Sequence, residues 1–289
     1  MGKLLAFCAL MLVTLSVSAQ RFHVGVLGGA AAYNGDLAEK VFPHKLTHGV
    51  AGITLNYELT DNIMLRAGYS YARVSGTDRY NPDSFLHRRN LSSETAISEF
   101  SVVGEYYLQN LYDHRFSPYI FAGLALFHFN PYAYNALDQK IYLKPLSTEG
   151  QGLPGYADRK PYALTQLAIP FGGGVKYAFT DKLHLGLEVG LRKTFTDYLD
   201  DVSKGYVDPN DLLAARGQLA VDMSYRGDEL PTSDPYYDPN YPVKGYQRGG
   251  ADKKDFYYFG VFHLTYRLGN GGSGLGRKKN GVGCPTNVY

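Results

Sequence analysis

The chain has 289 residues, and 29 Lys and Arg against 27 Asp and Glu give a formal net charge of +2, so bulk electrostatics predict no nucleic-acid partner. Only 19% of the residues are charged, whereas 26 are Tyr, 15 are Phe and 33 are Gly, which is unlike a soluble enzyme with about 25% charged residues. After residue 20 no apolar run approaches the roughly 20 residues that a spanning helix requires, so a helical membrane protein is excluded.

The first predicted element is a secretory signal at residues 1–19. An apolar run at residues 4–17 follows Lys3, and the small residue Ala19 offers a cleavage site. The run is too short to span a membrane, and no stop-transfer charges follow it. Removal of the signal would leave Cys284 as the only cysteine, so a disulfide framework is not expected.

In segments along the rest of the chain, apolar residues alternate with polar or glycine residues. This period of two residues is typical of β-strands and not of helices. At residues 183–192, for example, Leu and Val alternate with His, Gly, Glu and Arg. Eight such segments are predicted, and each is long enough for a tilted strand to cross a bilayer. They cover residues 22–33, 51–59, 63–75, 96–108, 118–129, 163–179, 183–192 and 255–268.

The connections between these strands alternate in length. Short ones at 60–62 and 180–182 and a moderate one near 109–117 alternate with long ones at 34–47, 76–95, 130–162 and 196–254. This pattern predicts an eight-stranded antiparallel outer-membrane β-barrel with short periplasmic turns and long extracellular loops. Both chain termini then lie in the periplasm. A soluble β-sandwich is the alternative for this alternation.

Aromatic residues fall near both ends of the predicted strands, where outer-membrane barrels carry girdles at the two membrane interfaces. The expected periplasmic girdle is Tyr57, Tyr107, Tyr119, Tyr177, Phe179 and Tyr266. The expected outer girdle is Tyr33, Tyr69, Tyr71, Phe127, Phe195 and Tyr258.

Acidic and basic residues share the face predicted to point into the barrel. An eight-stranded barrel is only just wide enough for its own side chains, so these charges are expected to pair and fill the lumen. A proton or ion path along them is the alternative. The predicted lumen charge network is Glu58, Arg66, Glu99, Glu105, Lys176, Glu188, Arg192 and Arg267, with His184 on the same face.

No motif in the chain indicates catalysis or a cofactor. Neither Gly-x-Ser-x-Gly nor His-Glu-x-x-His occurs, and no catalytic residue, cofactor or metal site is expected. Asp197, Asp200, Asp201 and Asp208 form an acidic cluster in the last long connection. A solvated or internally paired loop is the favoured interpretation, and a Ca²⁺ site is the alternative.

Several longer segments resemble the PorG family, which are outer-membrane barrels of the type IX protein secretion system of Bacteroidota. The segments that carry the resemblance are 117–123, 127–131, 145–152, 166–172, 187–188 and 192–203. Thr148–Gly152 and Arg192–Tyr198 are its most specific parts. The resemblance implies a non-enzymatic component in the outer membrane, in contact with its lipid and associated with a periplasmic ring of PorK and PorN.

The sequence thus divides into a signal at 1–19, a barrel at 20–268 and a periplasmic tail at 269–289. The tail opens with a Gly-rich stretch, and we expect it to contact the ring through Arg277, Lys278, Lys279 and Cys284. The alternative function is a stand-alone barrel that acts as an adhesin or porin-like channel. A lipid-modifying enzyme is the third interpretation.

Overall fold

The computed structural model describes residues 21–38, 46–80, 83–251 and 254–269. The predicted signal, and all of the predicted tail except Gly269, lie outside the described residues. None of the described helices is long and apolar enough to cross a membrane. The strands are β1 (Phe22–Asn34), β2 (His48–Glu58), β3 (Ile63–Thr77), β4 (Ser92–Tyr107), β5 (Phe116–Tyr134), β6 (Lys140–Tyr142), β7 (Thr165–Ala178), β8 (Leu183–Thr194) and β9 (Phe256–Arg267). The helices are α1 (Ser84–Arg89), α2 (Pro209–Arg216) and α3 (Gln218–Ser224).

Eight of the strands close into an antiparallel barrel, as the alternation predicts. The order around the barrel is β4-β3-β2-β1-β9-β8-β7-β5, and pairing of β4 with β5 closes the circle. The short strand β6 pairs only with the end of β5, from Tyr132 to Tyr134, and therefore lies outside the circle. The eight-stranded antiparallel fold is thereby confirmed.

Short turns lie at one end of the barrel and long loops at the other. β2 and β3 are joined by residues 59–62, and β7 and β8 by residues 179–182. Two strands continue further toward the long-loop end than the sequence predicts: β4 begins at Ser92, and β5 ends at Tyr134. Their outer parts pair with each other, and the end of β5 also pairs with β6, so added hydrogen bonds keep both strands extended.

The outer wall of the barrel is apolar, because every second residue of each strand points away from the interior. Large hydrophobic side chains there are 38% to 64% exposed to the surroundings. A water-soluble protein rarely exposes so many of them in one continuous band. They include Val24, Val26, Ile53, Leu55, Leu65, Phe100, Val102, Ile120, Leu124, Leu126, Leu167, Phe171, Leu187, Val189, Leu191, Phe262 and Leu264.

The predicted aromatic girdles are wrong at five positions, which are buried: Tyr33, Tyr107, Tyr119, Phe127 and Tyr258. Alternation explains most of the errors, since Tyr107 is two residues from the inward-facing Glu105 and must share its face. Its neighbour Tyr106 points outward instead and is 49% exposed. By contrast, Tyr69, Tyr71, Tyr177, Phe179, Phe195 and Tyr266 are exposed, and Tyr57 is half-buried.

Large side chains fill the interior of the barrel. Phe127 and Phe129 are fully buried and stack with a ring separation of 5.5 Å in the half nearer the long loops. Nearer the short turns, Phe121 lies against Gly190, where an added Cβ would come within 2.6 Å of the ring. Glycine at this position of β8 is therefore required by the close approach of the aromatic ring.

The long loops fold together into a cap, defined here as the described residues within 78–91, 135–164 and 195–255. Within it, α2 begins where the Asp208 carboxylate accepts a hydrogen bond from the Asn210 amide (2.9 Å) and Pro209 occupies the first turn. Gly217, with φ of +83°, separates α2 from α3. Leu153, Tyr156, Val207, Leu212 and Ala220 form a hydrophobic cluster of the cap's own. Loops with a core of this kind hold a defined shape.

Candidate functional site

The lumen of the barrel is the first candidate site, because it holds all eight charged residues that the sequence places on the inward face. At the short-turn end the Glu58 carboxylate accepts hydrogen bonds from His23 Nε2 (2.7 Å) and from the Tyr112 hydroxyl (2.5 Å). Arg267 Nη2 donates to the same carboxylate at 3.3 Å. Glu58 thus joins strands β2, β1 and β9 to the connection between β4 and β5.

A second cluster lies deeper, where two bases meet two acids. Arg66 Nη1 is 2.7 Å from Glu188 Oε2 and 3.1 Å from Glu105 Oε1, while Lys176 Nζ is 3.4 Å from Glu105 Oε2. The Tyr119 hydroxyl donates to Glu188 at 2.8 Å. All four charged side chains are at most 8% exposed. Burial makes each charge dependent on its partners, because an unpaired ion in this space costs several kcal/mol.

Tyrosine and histidine complete this deeper cluster. The Tyr107 hydroxyl bonds both the Glu105 carboxylate and the Lys176 ammonium. His263 Nε2 lies 3.6 Å from Glu188 Oε1. The neutral side chains therefore supply hydrogen bonds that the four charges alone would not provide.

A third cluster lies toward the long-loop end. Arg192 Nε donates to Glu99 Oε2 at 3.3 Å, and the Tyr257 hydroxyl donates to the same carboxylate at 2.7 Å. The Arg192 guanidinium also lies 4.0 Å from the centre of the Phe259 ring. Stacking on an aromatic face suits a guanidinium held away from water.

The three clusters are each balanced in charge, with four acids and four bases in total. The sequence placed the eight residues on one face, and the structure joins them into three separate groups. The aromatic layer of Phe127 and Phe129 follows the third cluster, and both rings are fully buried. Paired charges and buried aromatic rings thus occupy the interior of the barrel between the short turns and the cap.

The cap is the second candidate site. The sequence does not predict that these long loops fold into one ordered structure. Arg248, which is 1% exposed, donates to Glu149 Oε1 at 3.0 Å and to the Asp201 carbonyl oxygen at 2.7 Å. Its Nε donates to the Ser224 carbonyl oxygen at 3.0 Å. A buried arginine that donates to these three acceptors joins three stretches of two loops. The only sequence signal was the length of the last connection, which is unusual for a chain segment without structure of its own.

The acidic residues of the last long loop are internally paired, as the favoured interpretation has it. Asp197 accepts a hydrogen bond from the Ser203 hydroxyl (2.6 Å), and Asp200 accepts one from the Tyr33 hydroxyl (2.9 Å). Asp201 accepts hydrogen bonds from the hydroxyls of Thr148 (2.5 Å) and Tyr162 (2.7 Å). Among the described residues no group of three or more His, Cys, Asp and Glu is arranged to hold a metal ion.

Burial changes the acidity of these cap carboxyls. It raises the pKa of Asp197 and that of Asp201 to about 6 in each case. It raises the pKa of Asp200 well above its ordinary value, with the Asp36 charge adding to the effect. The pKa of Asp255 is likewise raised well above its ordinary value, by burial and by the Asp200 charge. These four carboxyl groups of the cap therefore keep their protons to a higher pH than an exposed carboxyl group does.

Arg277, Lys278, Lys279 and Cys284, the predicted partner contacts, lie outside the described residues. Their role stays a prediction.

A closed antiparallel barrel with an apolar wall and long loops at one end is a barrel of the outer-membrane type. The chain belongs to the DUF6089 family, a domain of unknown function, which it matches over residues 2–214. No curated protein matches the sequence.

Remote likeness to solved barrels is also found. Neisserial surface protein A is 12% identical, with a TM-score of 0.41 over 85% of this chain and 96% of that one. Ail, the attachment invasion locus protein of Yersinia pestis in complex with a heparin analogue, is 7% identical, with a TM-score of 0.37 over 85% and 98% of the two chains. OprG of Pseudomonas aeruginosa is 8% identical, with a TM-score of 0.37 over 86% and 97%. At these values the likeness does not bear on function.

Proposed function

We propose that the protein is a non-enzymatic outer-membrane component of the type IX secretion system, associated through its short-turn end with the periplasmic PorK and PorN ring. The resemblance of residues 145–152 and 192–203 to the PorG family supports this assignment. The apolar outer wall of the barrel suits insertion into a lipid bilayer. In this role the barrel anchors an assembly and transforms no substrate.

The observation that carries the proposal is the lumen filled with paired, buried side chains. A porin-like channel needs a water-filled interior, whereas here four acids are matched by four bases and the buried rings of Phe127 and Phe129 lie above them. The remaining surfaces that can act are the two ends of the barrel. A protein that works through its ends, with a rigid and closed wall between them, is suited to hold other proteins at a membrane.

A second candidate function is a stand-alone surface adhesin, and the ordered cap favours it. Leu137 and Val243 of the cap are 76% and 74% exposed. Large apolar side chains on a folded surface are frequent at contacts with other proteins. The two candidates differ in which end of the barrel binds the partner.

Photo-cross-linking in living cells distinguishes them. A cross-linking amino acid at Asp113, in the connection between β4 and β5, is expected to capture PorK or PorN, identified by mass spectrometry. The same amino acid at Val243 is the matched control and should capture neither. Capture of a surface partner at Val243, with no ring component at Asp113, would favour the adhesin and contradict the proposal.

The contribution of the tail needs a separate test. Deletion of residues 270–289 is expected to leave the barrel folded but to abolish co-purification with the ring and cargo export. Survival of both would move the predicted contact to the connection between β4 and β5, near residues 110–115.

A further inference from the structure

A recess opens at the short-turn end of the barrel, beneath the β2–β3 turn, the β7–β8 turn and the β4–β5 connection. The recess is narrow, and the space between its walls has room for about one water-sized group. Its lining contains three acids, Glu58, Asp61 and Asp181, and no lysine or arginine. An occupant with one small positive group at its tip would match both the size and the charge.

The floor of the recess carries a polar atom without a partner. His184 is 6% exposed, and its Nδ1 has no hydrogen-bond partner among the described residues. An unsatisfied buried nitrogen costs about 1–3 kcal/mol, so a donor that enters the recess and reaches it gains that free energy. In the tautomer that carries its proton on Nε2, His184 Nδ1 accepts a hydrogen bond.

The rim of the recess is built from two equivalent turns. The Thr60 hydroxyl oxygen accepts from the amides of Asn62 (3.3 Å) and Ile63 (3.0 Å). In the other turn, the Thr180 hydroxyl oxygen accepts from the amides of residues 182 (3.2 Å) and 183 (2.9 Å). These bonds fix the residue between them, Asp61 in one turn and Asp181 in the other, at the edge of the opening.

The two rim carboxylates are available for an incoming charge. Asp61 and Asp181 are exposed, and neither forms an ion pair with a residue that the structure describes. Glu58, in contrast, is already engaged by His23, Tyr112 and Arg267. The rim therefore supplies the uncompensated negative charge that attracts a positive group into the recess.

The walls of the recess are apolar and match a short hydrocarbon chain. They include Ile63, Met64, Leu111 and Ala178. The stem of a lysine side chain buries well against such a surface while its ammonium group reaches polar atoms. A guanidinium is larger and planar, so it suits this narrow recess less well than an ammonium group does.

We propose that this recess binds a primary ammonium group, a lysine side chain presented by a partner protein that docks on the short-turn end. The inference rests on the proposed function for the side of the membrane on which that partner lies. The recess itself can be tested on the purified full-length protein in detergent, apart from any ring component. Failure here and failure of the cross-linking experiment are therefore distinguishable.

The reporters in this test are Met64 and Met223, the two methionines among the described residues. Met64 lines the recess, and Met223 lies buried in the cap. With methyl-labelled methionine, titration with N-acetyl-lysine methylamide should shift the Met64 signal saturably and leave the Met223 signal in place. The norleucine analogue, which lacks the ammonium group, should shift neither, and the arginine analogue should bind more weakly than lysine.

Variants at the rim give the matched comparison. The double variant Asp61→Asn/Asp181→Asn should raise the apparent Kd for the lysine probe about fivefold at low salt. Asp113→Asn removes one carboxylate from the same end, but Asp113 does not line the recess, and the Kd should change less than about twofold, whereas each single rim variant should weaken binding more. No saturable Met64 shift, equal shifts with norleucine, or equal weakening by Asp113→Asn would each overturn the proposal.

Discussion

Arg66 of β3 and Glu188 of β8 are 122 residues apart in the chain, and their side chains meet at 2.7 Å across the interior of the barrel. The two strands are not neighbours, since β2, β1 and β9 lie between them on one side. The contact therefore ties opposite walls of the barrel together. Its loss would leave a guanidinium buried with Glu105 as its remaining acid.

Replacing Glu188 by Leu should lower the free energy of unfolding by about 3–5 kcal/mol, because it strands a buried positive charge. The midpoint temperature of the heat-dependent band shift on gels should fall accordingly. Leu187→Ala is the matched control. Its side chain is on the outer wall and 46% exposed, so we expect a much smaller change. An unchanged midpoint for Glu188→Leu would contradict the packed lumen and favour a hydrated one.

The second prediction concerns the cap and its central arginine. Arg248→Met should leave the buried Glu149 carboxylate without its ion-pair partner, although the amides of Ser203 and Lys204 still donate to it, each at 3.0 Å. We expect a loss of about 3 kcal/mol in cap stability, seen as faster proteolysis within residues 195–255. The heat-dependent band shift of the barrel should be retained.

An exposed pair in the same cap provides the comparison for this variant. Arg88 Nη1 lies 3.7 Å from Asp238 Oδ2, and the Arg88 side chain is about half exposed. Arg88→Met should change the stability of the cap by less than about 1 kcal/mol, and the proteolysis rate should change correspondingly little. Similar rates for Arg248→Met and Arg88→Met would show that the buried arginine does not hold the cap together.

The third prediction is a pH dependence of the cap. A carboxyl whose pKa is raised in the folded state stabilises that state fully below its unfolded pKa of about 3.9, and this stabilisation is lost as the pH rises through the folded pKa. For Asp197 and Asp201 the folded pKa is about 6. The cap should therefore resist proteolysis better at pH 5 than at pH 8, with rates normalised to an unfolded substrate at each pH.

Asp197→Asn should reduce this pH dependence, because the amide cannot ionise and its oxygen can still accept from the Ser203 hydroxyl. Asp222→Asn, at an exposed position on α3, should leave the pH dependence as it is. A cap that becomes more resistant from pH 5 to pH 8 would show that these carboxyls are not held in their neutral form.

The barrel could be predicted from the sequence because strand periodicity is a local property. Alternation from Leu183 to Arg192 fixes which residues face inward, and the lumen charges follow from the same alternation. Tyr107 was predicted to lie in the girdle because it is near a strand end. Its spacing of two residues from Glu105 puts both side chains on the same face of the strand. The alternation of side chains along the strand, taken alone, predicts that Tyr107 points into the lumen.

The cap could not be predicted, because its order comes from contacts between distant segments. Arg248 meets Glu149 across 99 residues of sequence, and no local pattern announces that pair. The partners of each lumen charge were also not predictable, since the sequence defines a face but not which residues meet across the barrel. The pairing of Arg66 with Glu188 follows from closure and stagger of the strands.

The orientation of the barrel in the outer membrane is the central claim, and cysteine labelling on intact cells tests it most directly. On a background with Cys8 and Cys284 replaced by Ser, a cysteine at the exposed cap position Val243 should react with a membrane-impermeant maleimide. A cysteine at Asp181, in the exposed β7–β8 turn, should react only after the outer membrane is permeabilised. Labelling at Asp181 without labelling at Val243 on intact cells would contradict the account.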